Sequence, residues 1–130
     1  SDYNNTAAHG AGELVNVLTF QERTIAVGVS GTYRLAFDAK APSTGGIAPP
    51  TTATAFIKTL DPASGFITTS EVALDMSTVS STDWATFTLE LTVDASAQAG
   101  QLLQFGFTNT ATSFNPSGIY YDNVDFGLVP

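Results

Sequence analysis

The sequence predicts an all-β protein: a β-sandwich, specifically a jelly roll of about seven or eight antiparallel strands. Three observations predict it. Two stretches alternate apolar and polar residues with a period of two, no window sustains a 3.6-residue apolar period, and breaks rich in Gly, Pro, Asp, Asn and Ser recur at short intervals.

The first candidate strand is ELVNVLTF (13–20), followed by a shorter one, TIAVGV (24–29). TYRLAFDAK places Tyr33, Leu35, Phe37 and Ala39 on one face and Arg34, Ala36, Asp38 and Lys40 on the other. TATAFIKTL (52–60) and FITTSEVAL (66–74) come next. WATFTLELTV then sends Phe87, Leu89, Leu91 and Val93 inward and Thr86, Thr88, Glu90 and Thr92 outward. LLQFGFTN (102–109) and IYYDNVDF (119–126) close the series. The breaks are Ser30-Gly31, APSTGGIAPP (41–50), DPASG (61–65), DASAQAG (94–100) and FNPSG (114–118), each with turn-forming residues. DASAQAG has room for one helical turn. Strands on both sides of 41–50 are needed for one core, so residues 1–130 read as a single domain.

Composition removes several function classes. The net charge is −8 and the pI about 4.1, with only Arg23, Arg34, Lys40 and Lys58 basic and none adjacent. Nucleic acid and anionic membranes are therefore poor partners, since both need clustered cations. The chain has no cysteine, which excludes disulfides, thiolate nucleophiles and cysteine–zinc sites. No run of apolar residues is long enough to insert in a membrane. The Thr-rich, Lys-poor, acidic composition leads us to expect a mature extracellular protein, secreted and without its signal peptide. Catalysis has little to stand on: His9 is the only histidine, no phosphate-cradling Gly loop or zinc spacing occurs, and most acids fall at turns or on outward strand faces.

GTYRLAFDAKA, DWATFTLELTV and GIYYDNVDF together, with TFQERTI (19–25) before them, resemble the jelly-roll carbohydrate-binding modules of the family 4/9/22 type. The resemblance spans roughly residues 19–126. The opening SDYNNTAAHGAGE does not match the Asn-x-x-Phe-Glu strand with which such modules begin, so one or two N-terminal strands of the pattern are not seen. The resemblance implies that Asp122, on the terminal strand, helps hold a structural calcium. A solvated strand-end acid is the competing reading, because calcium needs six to eight oxygens and one carboxylate is not a site. Asp2, Asn4, Thr6 and Glu13 have an EF-hand-like spacing, but Ala7 stands where that loop needs Gly and no amphipathic helices flank it.

Sugar recognition combines flat aromatic faces with planar polar groups that read hydroxyls. Strand parity offers Arg34, Asp38, Phe56, Lys58, Gln104 and Tyr120 as exposed candidates, with Tyr3 and Phe114 in loops. Arg34, Asp38, Gln104 and Thr108 are expected to line one sheet face. Trp84 is expected to pack at a strand start, and one of Tyr120 and Tyr121 to be structural. Asp122 shares its parity with Val124 and Phe126, so a regular strand would bury a lone carboxylate. The strand must therefore bulge near Asp122-Asn123, sit at the sheet's end, or offer Asp122 to a cation.

These readings combine into an expectation of a non-catalytic, secreted domain that binds a polysaccharide. The alternative is an extracellular structural or assembly subunit of a filament, matrix or surface layer, self-associating or completed by strand donation from a neighbouring chain.

Overall fold

Alternation in the sequence becomes sidedness in the structure. The computed structural model describes residues 14–26, 29–44, 47, 51–112 and 118–130. Seven strands run through them: β1 (Leu14–Thr24), β2 (Gly31–Lys40), β3 (Thr52–Asp61), β4 (Ile67–Asp75), β5 (Ala85–Val93), β6 (Leu102–Thr112) and β7 (Tyr120–Leu128). One short helix, α1 (Ala95–Gln98), lies between β5 and β6. All strand pairs are antiparallel. The expected fold class is the one observed. β1 is longer than its sequence signal, running on through Gln21-Glu22-Arg23-Thr24. No strand is assigned at Ile25, Ala26 or Val29, so the separate strand expected over 24–29 is not found among the described residues.

The strands form two sheets, with orders β1-β6-β3-β4 and β5-β2-β7. An eight-stranded jelly roll has two four-stranded sheets. Among the described residues the larger sheet has four strands, and the smaller one has three, with β7 paired to β2 on one side.

β2 is the centre of the smaller sheet and drives one half of the core. Tyr33, Leu35, Phe37 and Ala39 are all nearly inaccessible, as the alternation requires. The larger sheet answers with small residues on β3, Ala53 and Ala55, beside the larger Ile57 and Leu103. Those alanines leave room for rings. Phe37 meets Phe87 at 5.7 Å, Phe107 edge-on at 5.0 Å and Tyr121 edge-on at 5.7 Å. Such offset and edge-to-face pairs are the favoured aromatic geometries.

Helix α1 closes one end. The Asp94 carboxylate accepts from the Ser96 N–H at 2.9 Å as its N-cap. Gln98 points back into the sandwich, where its amide donates to Thr59 Oγ1 at 3.0 Å and its carbonyl accepts from the Asp94 N–H. The buried Thr59 hydroxyl is thus satisfied, as a buried polar group must be. At the β3–β4 turn, Asp61 caps a single 3₁₀ turn and Gly65 ends it in the left-handed region (φ 74°).

Gly106, on β6, sets how closely two strands approach. A Cβ there would lie 2.7 Å from the Phe20 Cα and closer still to the Thr19 carbonyl oxygen. No side chain fits without moving β1, so glycine at 106 holds β1 against β6 in its observed position.

Candidate functional site

Register places side chains on the outer face of the larger sheet in rows, because directly paired residues share a face. One row runs Phe20 (β1), Gly106 (β6), Phe56 (β3), Ala73 (β4), and the adjacent row runs Glu22, Gln104, Lys58, Glu71. Leu18, Thr108, Thr54 and Asp75 form a third. The face therefore carries an aromatic strip beside a strip of amide, ammonium and carboxylate groups. Phe20 is 45% exposed and offers its ring to solvent. The Gln104 amide donates to the Glu22 carboxylate, which fixes both groups. Asn16 is fixed in the same way, donating to Thr108 Oγ1 at 3.0 Å and Thr110 Oγ1 at 2.7 Å.

Two parity expectations on this face need correcting. Phe56 does point outward, but it is only 3% exposed, and the Lys58 ammonium lies 4.8 Å from its ring centre. It is a covered support and not an open platform. Gln104, expected exposed, is also buried, with its hydrogen bond to Glu22 as compensation. Parity distinguishes inward from outward; it does not show what covers an outward residue.

Arg34 and Asp38 are on the other side of the molecule. They project from the outer face of the smaller sheet, so they do not line one face with Gln104 and Thr108. The sequence identifies both sets as pointing away from a core, and only the strand order shows that the two faces are opposite. Arg34 is paired with Glu90 on β5 through Nε (2.8 Å) and Nη2 (2.7 Å). Asp38 joins three strands: one oxygen accepts from Thr86 Oγ1 on β5 at 2.5 Å and the other from Asn123 Nδ2 on β7 at 2.7 Å. These hydrogen bonds, Asn123 first and Thr86 second, hold the Asp38 carboxyl below its ordinary pKa, against slight desolvation. A depressed carboxyl contributes stability above its unfolded-state pKa and loses it as acid protonates the group, so this three-strand tie weakens only in strong acid.

The Asp122 question is resolved by a bulge. The β2–β7 register steps from Ala36–Asp125 to Asp38–Asp122, and Asn123 takes up the extra residue at φ 50°. Asp122 consequently turns outward and is exposed, accepting at Oδ1 from the Asn123 N–H at 2.8 Å, while Phe126 remains packed against the core. Among the described residues no three acidic or histidine side chains converge on a metal-sized site. Asp122 has Asp38 as its register partner, and both oxygens of Asp38 are already engaged. Two such carboxylates fall short of six to eight calcium oxygens, so the described residues alone do not fit the ion.

The two tyrosines separate. Tyr121 faces the core, stacked on Phe107 at 3.8 Å, and burial pushes its phenol up. Tyr120 is 57% exposed beside Lys40, its register partner. Trp84, expected to pack, is 51% exposed just ahead of β5. Tyr3, Phe114, His9 and the EF-hand-like positions Asp2, Asn4, Thr6 and Glu13 lie outside the described residues.

Sequence reasoning missed Phe20, Leu18 and Glu22. Their signal was present: Val17 alternates with Leu18 and Phe20, so β1 is apolar on both faces, and a strand of that kind does not simply present one face to water.

No family model and no curated protein matches the sequence. Solved structures do match the fold. A CBM4 protein superimposes with a TM-score of 0.49 at 20% identity, over 85% of this chain and 59% of the other. A family 16 carbohydrate-binding module gives 0.51 at 14% identity, over 90% of this chain and 72% of the other. The enzymatically active domain of bacteriophage CBA120 tailspike protein 4 gives 0.52 at 16% identity, over 99% of this chain and 22% of the other. This chain thus spans about three fifths of the CBM4 chain and about a fifth of the tailspike chain. At these identities the likeness is one of fold: the β-sandwich here is similar to that of a family 16 carbohydrate-binding module and to part of the tailspike chain.

Proposed function

We propose that this protein is a secreted, non-catalytic carbohydrate-binding domain that holds a polysaccharide against the outer face of its larger sheet. The observation that carries the proposal is the paired strip on that face, with exposed Phe20 next to Glu22, Gln104, Lys58 and Glu71. A pyranose has one apolar face and a rim of hydroxyls, and an aromatic ring beside fixed amide and charged groups matches both. The likeness in fold to a family 16 carbohydrate-binding module supports the same reading. Phe20 is the stacking ring, Lys58 and the Glu22–Gln104 pair read hydroxyls, and Phe56 supports Lys58 from beneath. With a net charge of −8, neutral glycans are favoured over acidic ones. On this proposal Arg34 and Asp38 brace the opposite sheet, and Tyr120 stays in solvent.

Affinity electrophoresis through gels containing soluble xylan, β-glucan or mannan tests this directly. At least one polysaccharide should retard the protein. Phe20→Ala and Lys58→Ala should each weaken that interaction about tenfold, roughly 1.4 kcal/mol. Arg34→Ala and Tyr120→Ala should leave it unchanged. Retardation by none of a broad glycan panel, or sensitivity at Arg34 without sensitivity at Phe20, removes the proposal.

Calcium at Asp122 forms a separate part of the proposal, supported by the family resemblance and by the outward turn of Asp122 at its bulge. The remaining oxygens would come from outside the described residues. Addition of a chelator should then lower the melting temperature, because an ion bound only to the native state stabilises it by mass action. Asp122→Ala should abolish that sensitivity. A melting curve indifferent to chelator reduces Asp122 to the residue that caps the bulge.

A further inference from the structure

The hairpin between β3 and β4 presents an aromatic ring from a backbone conformation that disfavours it. Phe66 has φ 63°, directly after Gly65 at φ 74°. The left-handed region suits Gly, which has no Cβ, and to a lesser degree Asn. Among the described residues the other non-glycine residue found there is Asn123. Phe66 therefore holds a strained backbone, and burial of its ring does little to offset the strain. At 60% it is the most exposed large apolar side chain among the described residues. Ile67 beside it is 56% exposed.

The tip is nonetheless held firmly. Asp61 Oδ1 accepts from the Ala63 N–H at 2.9 Å and Oδ2 from the Ser64 hydroxyl at 2.6 Å, while the Phe66 N–H donates to the Asp61 carbonyl at 2.8 Å. Along β4 the exposed Thr68 and Thr69 follow, and Thr69 donates to Gln101 Oε1 at 2.6 Å. An exposed ring on a fixed turn, followed by fixed hydroxyl and amide groups, repeats the chemistry of the larger sheet's outer face. The tip also belongs to that sheet. The row Thr24, Leu102, Leu60, Thr68 comes after the Glu22 row, and Phe66 stands just past its β4 end. With about 3.4 Å per residue and about 4.8 Å per strand, Phe20 and Phe66 are on the order of 20–25 Å apart.

We propose that Phe66 is a second stacking platform for the same polysaccharide, so that the ligand is a long chain engaged at both Phe20 and the hairpin tip. The inference rests on the carbohydrate-binding reading and adds chain length to it. A single sugar or a disaccharide cannot bridge such a separation; only an extended chain reaches both rings. Two linked contacts then raise affinity through effective concentration. The patch made by Phe66 and Ile67 is too small for a stable protein interface. A membrane surface would call for cations beside the apolar tip, whereas this tip carries Asp61 in a chain of net charge −8. The strain also has the sign expected of a site: the residue that serves the ligand is not the one that best serves the turn.

Phe66→Asn and Phe20→Ala test it, each titrated calorimetrically with three-unit and eight-unit oligosaccharides of xylan, β-glucan and mannan. Phe66→Asn should weaken the eight-unit ligand about tenfold and the three-unit ligand about twofold or less, whereas Phe20→Ala should weaken both. Phe66→Trp, which keeps a ring, should restore the eight-unit affinity. Because Asn tolerates the left-handed region, Phe66→Asn should also raise the melting temperature by roughly 2–5 °C, which a packing role would not allow. A lowered melting temperature makes Phe66 structural and overturns the proposal. Weakening by Phe20→Ala with none by Phe66→Asn overturns it too, and leaves the sheet-face site standing. Weakening by Phe66→Asn alone overturns the shared chain and the sheet-face site together. If no glycan binds, both readings fall, and Phe66-dependent sedimentation with phosphatidylcholine vesicles would assign the tip to a membrane surface.

Discussion

Phe37→Ala is expected to destabilise the protein by about 3–5 kcal/mol, the range for removing a fully buried aromatic ring. Phe37 is 1% exposed at the centre of β2 and touches Phe87 on its own sheet, Phe107 on the opposite sheet and Tyr121 on β7. No neighbouring strand can collapse into the space without breaking its ladder, so the cavity term should persist. For a domain of this size the melting temperature should fall by roughly 10–20 °C. Native stabilities are commonly only about 5–15 kcal/mol, so a loss of this size removes a large share of the total. Thermal denaturation followed by circular dichroism checks it. A fall of only a few degrees would mean that the two sheets do not share the core described above.

Tyr121→Ala is expected to cost about 3 kcal/mol, at the low end for aromatic truncations because part of its surroundings is an open recess. The ring stacks on Phe107 and meets Phe37 edge-on, so Tyr121→Phe, which keeps both contacts, should restore most of the loss. Glycan affinity of the folded Tyr121→Ala protein should be nearly intact, since Tyr121 faces the core and Phe20 faces out from the other sheet. The discriminating result is the reverse pair: unchanged stability with lost glycan binding would make Tyr121 a sugar platform.

The architecture was legible in the sequence wherever burial is one-sided. β2 and β5 show clean alternation because each has one face on the core and one in water. The bulge at Asn123 was legible only as one of three ways to keep Asp122 from burial, and the family resemblance pointed to a cation instead. The site was less so, for a physical reason. Parity is a property of one strand, whereas a binding face is assembled from several. Arg34 and Gln104 look equivalent in sequence, yet lie on opposite sheets. Phe56 looks exposed until the neighbouring Lys58 covers it, and Phe20 was hidden in a strand that is apolar on both faces. Which strands become neighbours depends on pairings far apart along the chain, and no local window records them.

One of those pairings bears on how the protein is made. Among the described residues β1 has a single ladder partner, β6, with Leu14 opposite Thr112. Its nearest rung joins Thr24 to Leu102, so about eighty residues must be synthesised before β1 meets this partner. At about 5–20 residues per second this is a wait of roughly 4–16 s. Throughout it the Val17, Leu18 and Phe20 segment is an unpaired strand with apolar residues on both sides. Ladders between distant segments also form slowly, because loop closure precedes any gain from contact. β1 is thus made well before the strand it docks on, and chaperone supply during synthesis should govern the yield of soluble protein more than the stability of the finished fold.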